Sequence, residues 1–211
     1  MINNYKRLEI KLMGTVFVVP IIMLCIVLIV GFLSINSDNA EYIIYSTMEN
    51  LIPLFAGWWG IFCMYELLEA EGGEIMRTYG LSFFSLGIKK NLYYFCSYLV
   101  MSMVASTIVM QIVMQHIFID MLVQIAFQAL YFSAFAFAIM TIVRNSGWSL
   151  FVLMAYFVIA FFTNGEGLGI FNVYLFRQGF SFNGSLLFIC VKCFGFAILF
   201  YIIGNKFIKR N

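Results

Sequence analysis

Residues 65–91, YELLEAEGGEIMRTYGLSFFSLGIKKN, are the least apolar part of a very apolar chain. The run holds Glu66, Glu69, Glu71 and Glu74, four of the ten acids, closes on Gly80 and is followed by Lys89 and Lys90. Over all 211 residues 64% are hydrophobic and only 10% are charged, more apolar surface than one soluble core of this length hides. The polar run therefore reads as a watery connection between membrane spans. Six stretches approach the roughly 20 helical residues that cross a hydrocarbon layer of about 30 Å: 13–35, 47–68, 92–115, 121–143, 147–163 and 184–204. They are continuously apolar rather than alternating, and backbone amides in lipid must be paired within their own segment, so helices are expected and a barrel is not.

Charge sets the expected orientation. With the amino terminus inside, the inner segments hold Lys6, Arg7, Lys11, Arg77, Lys89, Lys90, Arg144, Lys206, Lys209 and Arg210, whereas the outer connections hold only Arg177. Asp38, Glu41, Glu49, Asp120 and Glu166 fall at or near the outer face. The expectation is an all-α integral membrane protein of the cytoplasmic (inner) membrane, multi-pass, with six transmembrane helices and both termini cytoplasmic. The first apolar run is too long for a signal peptide and lacks a small-residue cleavage pattern, so it is expected to stay.

The whole chain, 1–211, reads as one transmembrane domain without internal repeats. Residues 1–12 read either as an amphipathic interfacial helix, with Ile2, Tyr5, Leu8 and Leu12 on one face, or as a basic tail that orients the first span. Pro20 is expected to break one hydrogen bond early in that span. In the outer segment 164–183, IFNVYLF is too short to span and too apolar for a solvated loop. A short re-entrant element before the last span fits both facts. Cys25, Cys63, Cys96, Cys190 and Cys193 all lie in expected spans, which argues against a disulfide framework. Cys190 and Cys193 form a bare C-x-x-C with no second pair, too little for a metal or redox site.

Within the acidic run, acids come first, then Ile75 and Met76, then Arg77, Tyr79 and Gly80, the order that complements a helix dipole and its left-handed stop. Gly72 and Gly73 weaken such a helix by about 1 kcal/mol each if interior, so it needs a partner surface. Ile75, Met76 and Tyr79 would share the face offered to it. The plain alternative is an interfacial loop kept in water by its charges.

EAEGGEIMRTYGLS resembles the cytoplasmic loop between the second and third spans of type-2 ATP-binding-cassette (ABC) exporter permeases, where an acid-acid-Gly-Thr pattern leads to Pro-x-Ser and a later Lys. Glu69, Glu71 and Gly72 match in order, Ser82 and Lys90 fall at matching offsets, and Gly73 and Gly80 replace the family's Thr and Pro. The six expected spans, the interfacial amino-terminal helix and the re-entrant element resemble the family as well. The resemblance implies that 69–82 is a cytoplasmic coupling helix, with Glu69, Glu71, Gly72, Glu74, Ile75, Met76, Tyr79 and Ser82 meeting a separate ABC ATPase (nucleotide-binding) subunit. It also implies a second permease subunit, identical or homologous, and a hydrophobic or amphipathic exported substrate: a peptide such as a bacteriocin, a drug or a lipid-like molecule. The chain has no G-x-x-x-x-G-K-[ST] phosphate loop, so ATP and Mg are expected in the partner, and this chain is expected to be non-catalytic, without cofactor or metal of its own. Membrane lipid is an expected partner and nucleic acid is not.

Polar residues inside the spans complete the candidates. Lys192 falls in the middle of the sixth span, where a charge costs about 2.5 to 3.5 kcal/mol, and three readings stand open: pairing with Glu166 or Glu49, snorkelling, or contact with substrate. Gln111, Gln115, Gln124 and Gln128 would line a path or bond between helices. Aromatic residues such as Phe132, Phe135 and Phe137 suit either a core or a greasy cleft. Two rivals remain. One is a membrane immunity or sensor protein that binds a toxic peptide without transport. The other is an intramembrane protease using Glu71, Glu74 and Arg77 with His116 and Asp120, against which stands the expected placement of His116 at the opposite face from the glutamates.

Overall fold

A computed structural model describes residues 14–69, 87–116, 118–175 and 184–209. The interfacial helix expected at 1–12, all of 69–82 except Glu69, and the end of the re-entrant segment, 176–183, lie outside them. Every regular element among the described residues is helical. A 3-10 turn, Gly14–Val18, leads into α1 (Val19–Leu33). Then come α2 (Ala40–Phe62), a single turn α3 (Tyr65–Leu68), and α4 (Ile88–Val109), which ends in a π turn, Met110–Met114. After it come α5 (Ile119–Val143), α6 (Ser146–Phe162), a 3-10 segment, Glu166–Phe171, and α7 (Gly184–Lys209).

Four of these stretches are long and apolar enough to cross a membrane: Gly14–Leu33, Ile88–Met114, Ile119–Val143 and Leu186–Ile208. The other two long helices fall short for different reasons. Ser146–Phe162 is apolar but only 17 residues long. Ala40–Phe62 is long enough but less apolar, carrying Glu41, Glu49 and Asn50. It also begins seven residues before the expected 47, because Ala40 and Glu41 suit a first turn and Ile44, Tyr45 and Met48 are buried there.

The long helices alternate in direction. Asn91 at the start of α4 reaches Gly60 at the end of α2, while Gly31 and Val109 bring together the ends of α1 and α4. Along α5 and α7, Phe127 meets Phe194, Tyr131 meets Phe200 and Phe137 meets Tyr201, so these two run parallel. Ser149 at the start of α6 reaches Met140 near the end of α5, which makes α6 antiparallel to it. The turn 34–39, the turn around Gln115 and the segment 163–175 therefore share one end of the bundle. The starts of α1, α4 and α6 and the ends of α2, α5 and α7 share the other.

Helix α5 is the hub, packed most extensively on α2 and α7. Its Tyr131, Phe132 and Phe137 are fully buried, and Tyr131 touches Tyr156 of α6 and Phe196 and Phe200 of α7. These aromatics form core rather than a cleft. The outward faces of α1, α6 and α7 carry exposed apolar residues, among them Ile29, Leu33, Phe151, Phe162, Phe188 and Val191, as suits contact with lipid.

The two prolines stand in different surroundings. Pro20 does not interrupt α1; it stands in the first turn, where its missing N–H is no loss. The carbonyl four residues back, Val16 O, accepts instead from the Trp58 indole at 3.1 Å, and Phe17 O accepts from Trp59 at 3.1 Å. Phe17 also stacks on Trp59, so the start of α1 is fastened to the end of α2. Pro53 lies inside α2, four residues after Glu49, and can give no N–H to the Glu49 carbonyl.

Candidate functional site

Tyr45 and Glu49 are four residues apart on α2, as are Gln124 and Gln128 on α5, so each pair occupies one helix face. The two faces meet. Glu49 Oε1 accepts from Gln124 Nε2 at 2.8 Å and from Gln128 Nε2 at 3.0 Å, and the Tyr45 hydroxyl donates to Gln124 Oε1 at 3.1 Å. All four side chains are buried, Glu49 to 1% exposure. Burying a carboxyl group is costly unless it is hydrogen-bonded, and three N–H groups converge on this one oxygen.

The third N–H is the backbone amide of Leu175, at 2.7 Å. It belongs to residues 172–175, which leave the 3-10 segment; Asn172 is extended, with φ −62° and ψ 125°. We refer to residues 171–175 as the strap. Helices on all sides hold its backbone. The Phe171 carbonyl accepts from the Tyr156 hydroxyl at 2.6 Å, the Asn172 carbonyl from Lys192 Nζ at 2.6 Å, and the Val173 carbonyl from Gln128 Nε2 at 2.8 Å. Val173 and Tyr174 are buried, and the Tyr174 ring packs on Phe132 and Phe157. Two glycines with positive φ, Gly165 (83°) and Gly169 (51°), turn the chain between α6 and the strap, a conformation other residues adopt only with strain.

Lys192 thus finds its contact in the strap's backbone. Its ammonium donates to Asn172 O and lies 6.0 Å from the Phe188 ring centroid. The four glutamines separate: Gln124 and Gln128 are buried in the network, while Gln111 and Gln115 are exposed on and just after the π turn. His116 lies at this same end, beside Phe118.

At the opposite end Glu69 is the one expected coupling residue among the described residues. Its carboxylate accepts from the backbone N–H of Ser146 at 2.7 Å and from Asn145 Nδ2 at 3.4 Å. Asn145 caps α6 by accepting from the Trp148 N–H at 2.9 Å, so Glu69 adds an anion to the positive end of that helix. Glu71, Gly72, Glu74, Ile75, Met76, Tyr79 and Ser82 are outside the described residues. Nearer the middle of the bundle Asn91, fully buried, accepts from Ser133 Oγ at 2.8 Å and from the Tyr201 hydroxyl at 2.9 Å, and its Nδ2 faces Gly60 O at 3.5 Å. One side chain joins α2, α4, α5 and α7.

Sequence reasoning found Gln124, Gln128 and Lys192 but missed Tyr45, Asn91 and the strap carbonyls. The available signal was Tyr45-x-x-x-Glu49 at helical spacing, a pair that the expected start at residue 47 divides between connection and span. Comparison with family models, with curated proteins and with solved structures finds no match for this chain.

Proposed function

We propose that this chain is the transmembrane permease subunit of an ABC exporter for hydrophobic or amphipathic substrates, driven by separate ATPase subunits, with six spans and both termini in the cytoplasm. The resemblance of EAEGGEIMRTYGLS to the family's coupling loop motivates the reading, and the alternating helices accord with it. The observation that carries it is the Glu69 bridge. Glu69 ends the turn that follows α2 and holds the first turn of α6. A displacement applied to the segment after Glu69 would move α2 directly and reach the α5–α6 turn through this carboxylate. That is the rigid-body transmission a permease needs from an external motor. The motor drives it only if its ATP-bound form favours one arrangement of the helices over the other.

The partner surface on this reading is Ile75, Met76 and Tyr79, flanked by Glu71, Gly72, Glu74 and Ser82. A tagged chain isolated from its native membrane is expected to carry a nucleotide-binding subunit and ATP hydrolysis. The double substitution I75D/Y79D is expected to remove both while leaving membrane insertion intact. Isolation of the double variant with undiminished ATPase would overturn the proposal. Protection of cells against a toxic peptide when no ATPase is made would point instead to the passive binder.

A further inference from the structure

We infer that the groups holding the strap form an intramembrane binding site for an extended apolar peptide, and that the strap is its built-in occupant. This deepens the permease reading by naming the substrate class, and it rests on that reading only for the transport that follows binding.

Four helices each direct one polar side chain at a backbone group of the strap: Glu49 of α2 at an N–H, and Gln128 of α5, Tyr156 of α6 and Lys192 of α7 at carbonyls. Such contacts read a peptide main chain without regard to its side chains. Polar and ionisable side chains in apolar helices are costly, and here four of them converge on the carbonyls of Phe171, Asn172 and Val173 and the N–H of Leu175, which calls for a use beyond packing.

The strap fills this site incompletely. Gln128 is fully buried, and its Nε2 is spent on two acceptors, Glu49 Oε1 and Val173 O, which fixes the amide's orientation. Its Oε1 is buried with no hydrogen-bond partner among the described residues. A peptide continuing as an extended chain would offer both a carbonyl and an N–H to such an amide. The strap cannot, because the Tyr174 N–H turns back onto Asn172 Oδ1 at 2.9 Å. Around the backbone groups the surface is apolar, with Phe132 and Phe157 receiving an aromatic side chain. The occupant expected is therefore an extended peptide with aliphatic and aromatic residues, entering as the strap leaves about its Gly165 and Gly169 turns.

A tethered strap competes at a high effective concentration, on the order of millimolar for short linkers, so the test weakens the strap and leaves the site intact. The probe is a fluorescent acetyl-Phe-Asn-Val-Tyr-Leu-amide, the strap's own residues 171–175, added to the full chain in nanodiscs without nucleotide. Tyr174→Ala is expected to bind it saturably and at least about tenfold more tightly than the unaltered chain. Methylating the leucine amide nitrogen of the probe, which removes the donor to Glu49, should weaken binding about tenfold. In the unaltered chain, excess probe should speed hydrogen exchange at residues 171–175. Equal uptake of both probes would mean partition into lipid and overturn the inference, as would no saturable binding by a folded Tyr174→Ala chain. If that variant does not fold, Asn172→Ala, which removes the contact to the Tyr174 N–H and the side chain packed on Gly165 but none of the four groups that hold the strap, takes its place under the same two criteria. The assay uses no ATPase, so failure to bind peptide is distinguishable from failure to recruit a motor.

Discussion

At Glu49 a single carboxylate oxygen satisfies donors from α5 and from the strap, so its replacement acts on three N–H groups at once. Hydrogen bonds between helices in membranes are worth about 0.6 kcal/mol each on average, and stranding their buried donors adds to the loss. Glu49→Leu is therefore expected to destabilise the chain by at least about 2 kcal/mol in detergent unfolding, whereas Glu49→Gln keeps an acceptor and should lose clearly less. Equal losses would mean that volume rather than hydrogen bonding matters at this position. Half of this centre was legible in the sequence: Gln124 and Gln128 stand out as an i, i+4 polar pair in an apolar run. Glu49 did not stand out as their partner, because acids near the end of a span look like boundary markers until the helix is seen to begin at Ala40.

Among the elements, the contact between α2 and α5 depends on how closely two backbones approach. A Cβ at Gly60 would lie 2.8 Å from the Ser133 carbonyl oxygen, and a backbone atom cannot swing aside as a side chain would. At Gly195 on α7 a Cβ would meet nothing within 4 Å. Gly60→Ala should thus force the helices apart and cost about 1 to 3 kcal/mol, while Gly195→Ala should gain up to about 1 kcal/mol from helix propensity. Thermal melts of the two variants in one detergent check the pair, and the opposite ranking would refute this account of the interface. The helices were legible because long apolar runs permit little else in lipid. Their mutual fit was not, since a glycine in an apolar run carries no mark of what it touches. The strap's outline was legible for a related reason: IFNVYLF is too short to span and too apolar to be solvated. Its anchors were not, because Phe171, Asn172 and Val173 are held through backbone carbonyls that every sequence possesses.

Across the whole molecule, alternating helix directions divide the connections into two sets, and the charges divide with them. Lys89, Lys90, Arg144 and Lys206 lie toward the end that carries Glu69, whereas Asp38, Glu41, Asp120 and Glu166 lie toward the end that carries the strap. If all six long helices cross the bilayer, the positive-inside bias puts the Glu69 end in the cytoplasm. Two helices make this a real question, since Ser146–Phe162 is short and Ala40–Phe62 is polar. A helix of 17 residues is about 26 Å long, slightly less than the hydrocarbon layer, and can cross if the bilayer thins locally. The polar residues of α2 are sheltered, because Glu49 and Asn50 are buried among neighbouring helices and only the start of the helix is open. Both features therefore permit crossing. In a chain whose native cysteines are replaced by serine, single cysteines at the exposed positions Ser37 and Glu166 should react with a membrane-impermeant maleimide in intact cells. Cysteines at Lys89 and at Asn145 should react only after the membrane is opened. Labelling of Ser37 and Asn145 from the same side would mean that α2 or its neighbours do not cross, and would remove the Glu69 bridge from the face where an ATPase could reach it.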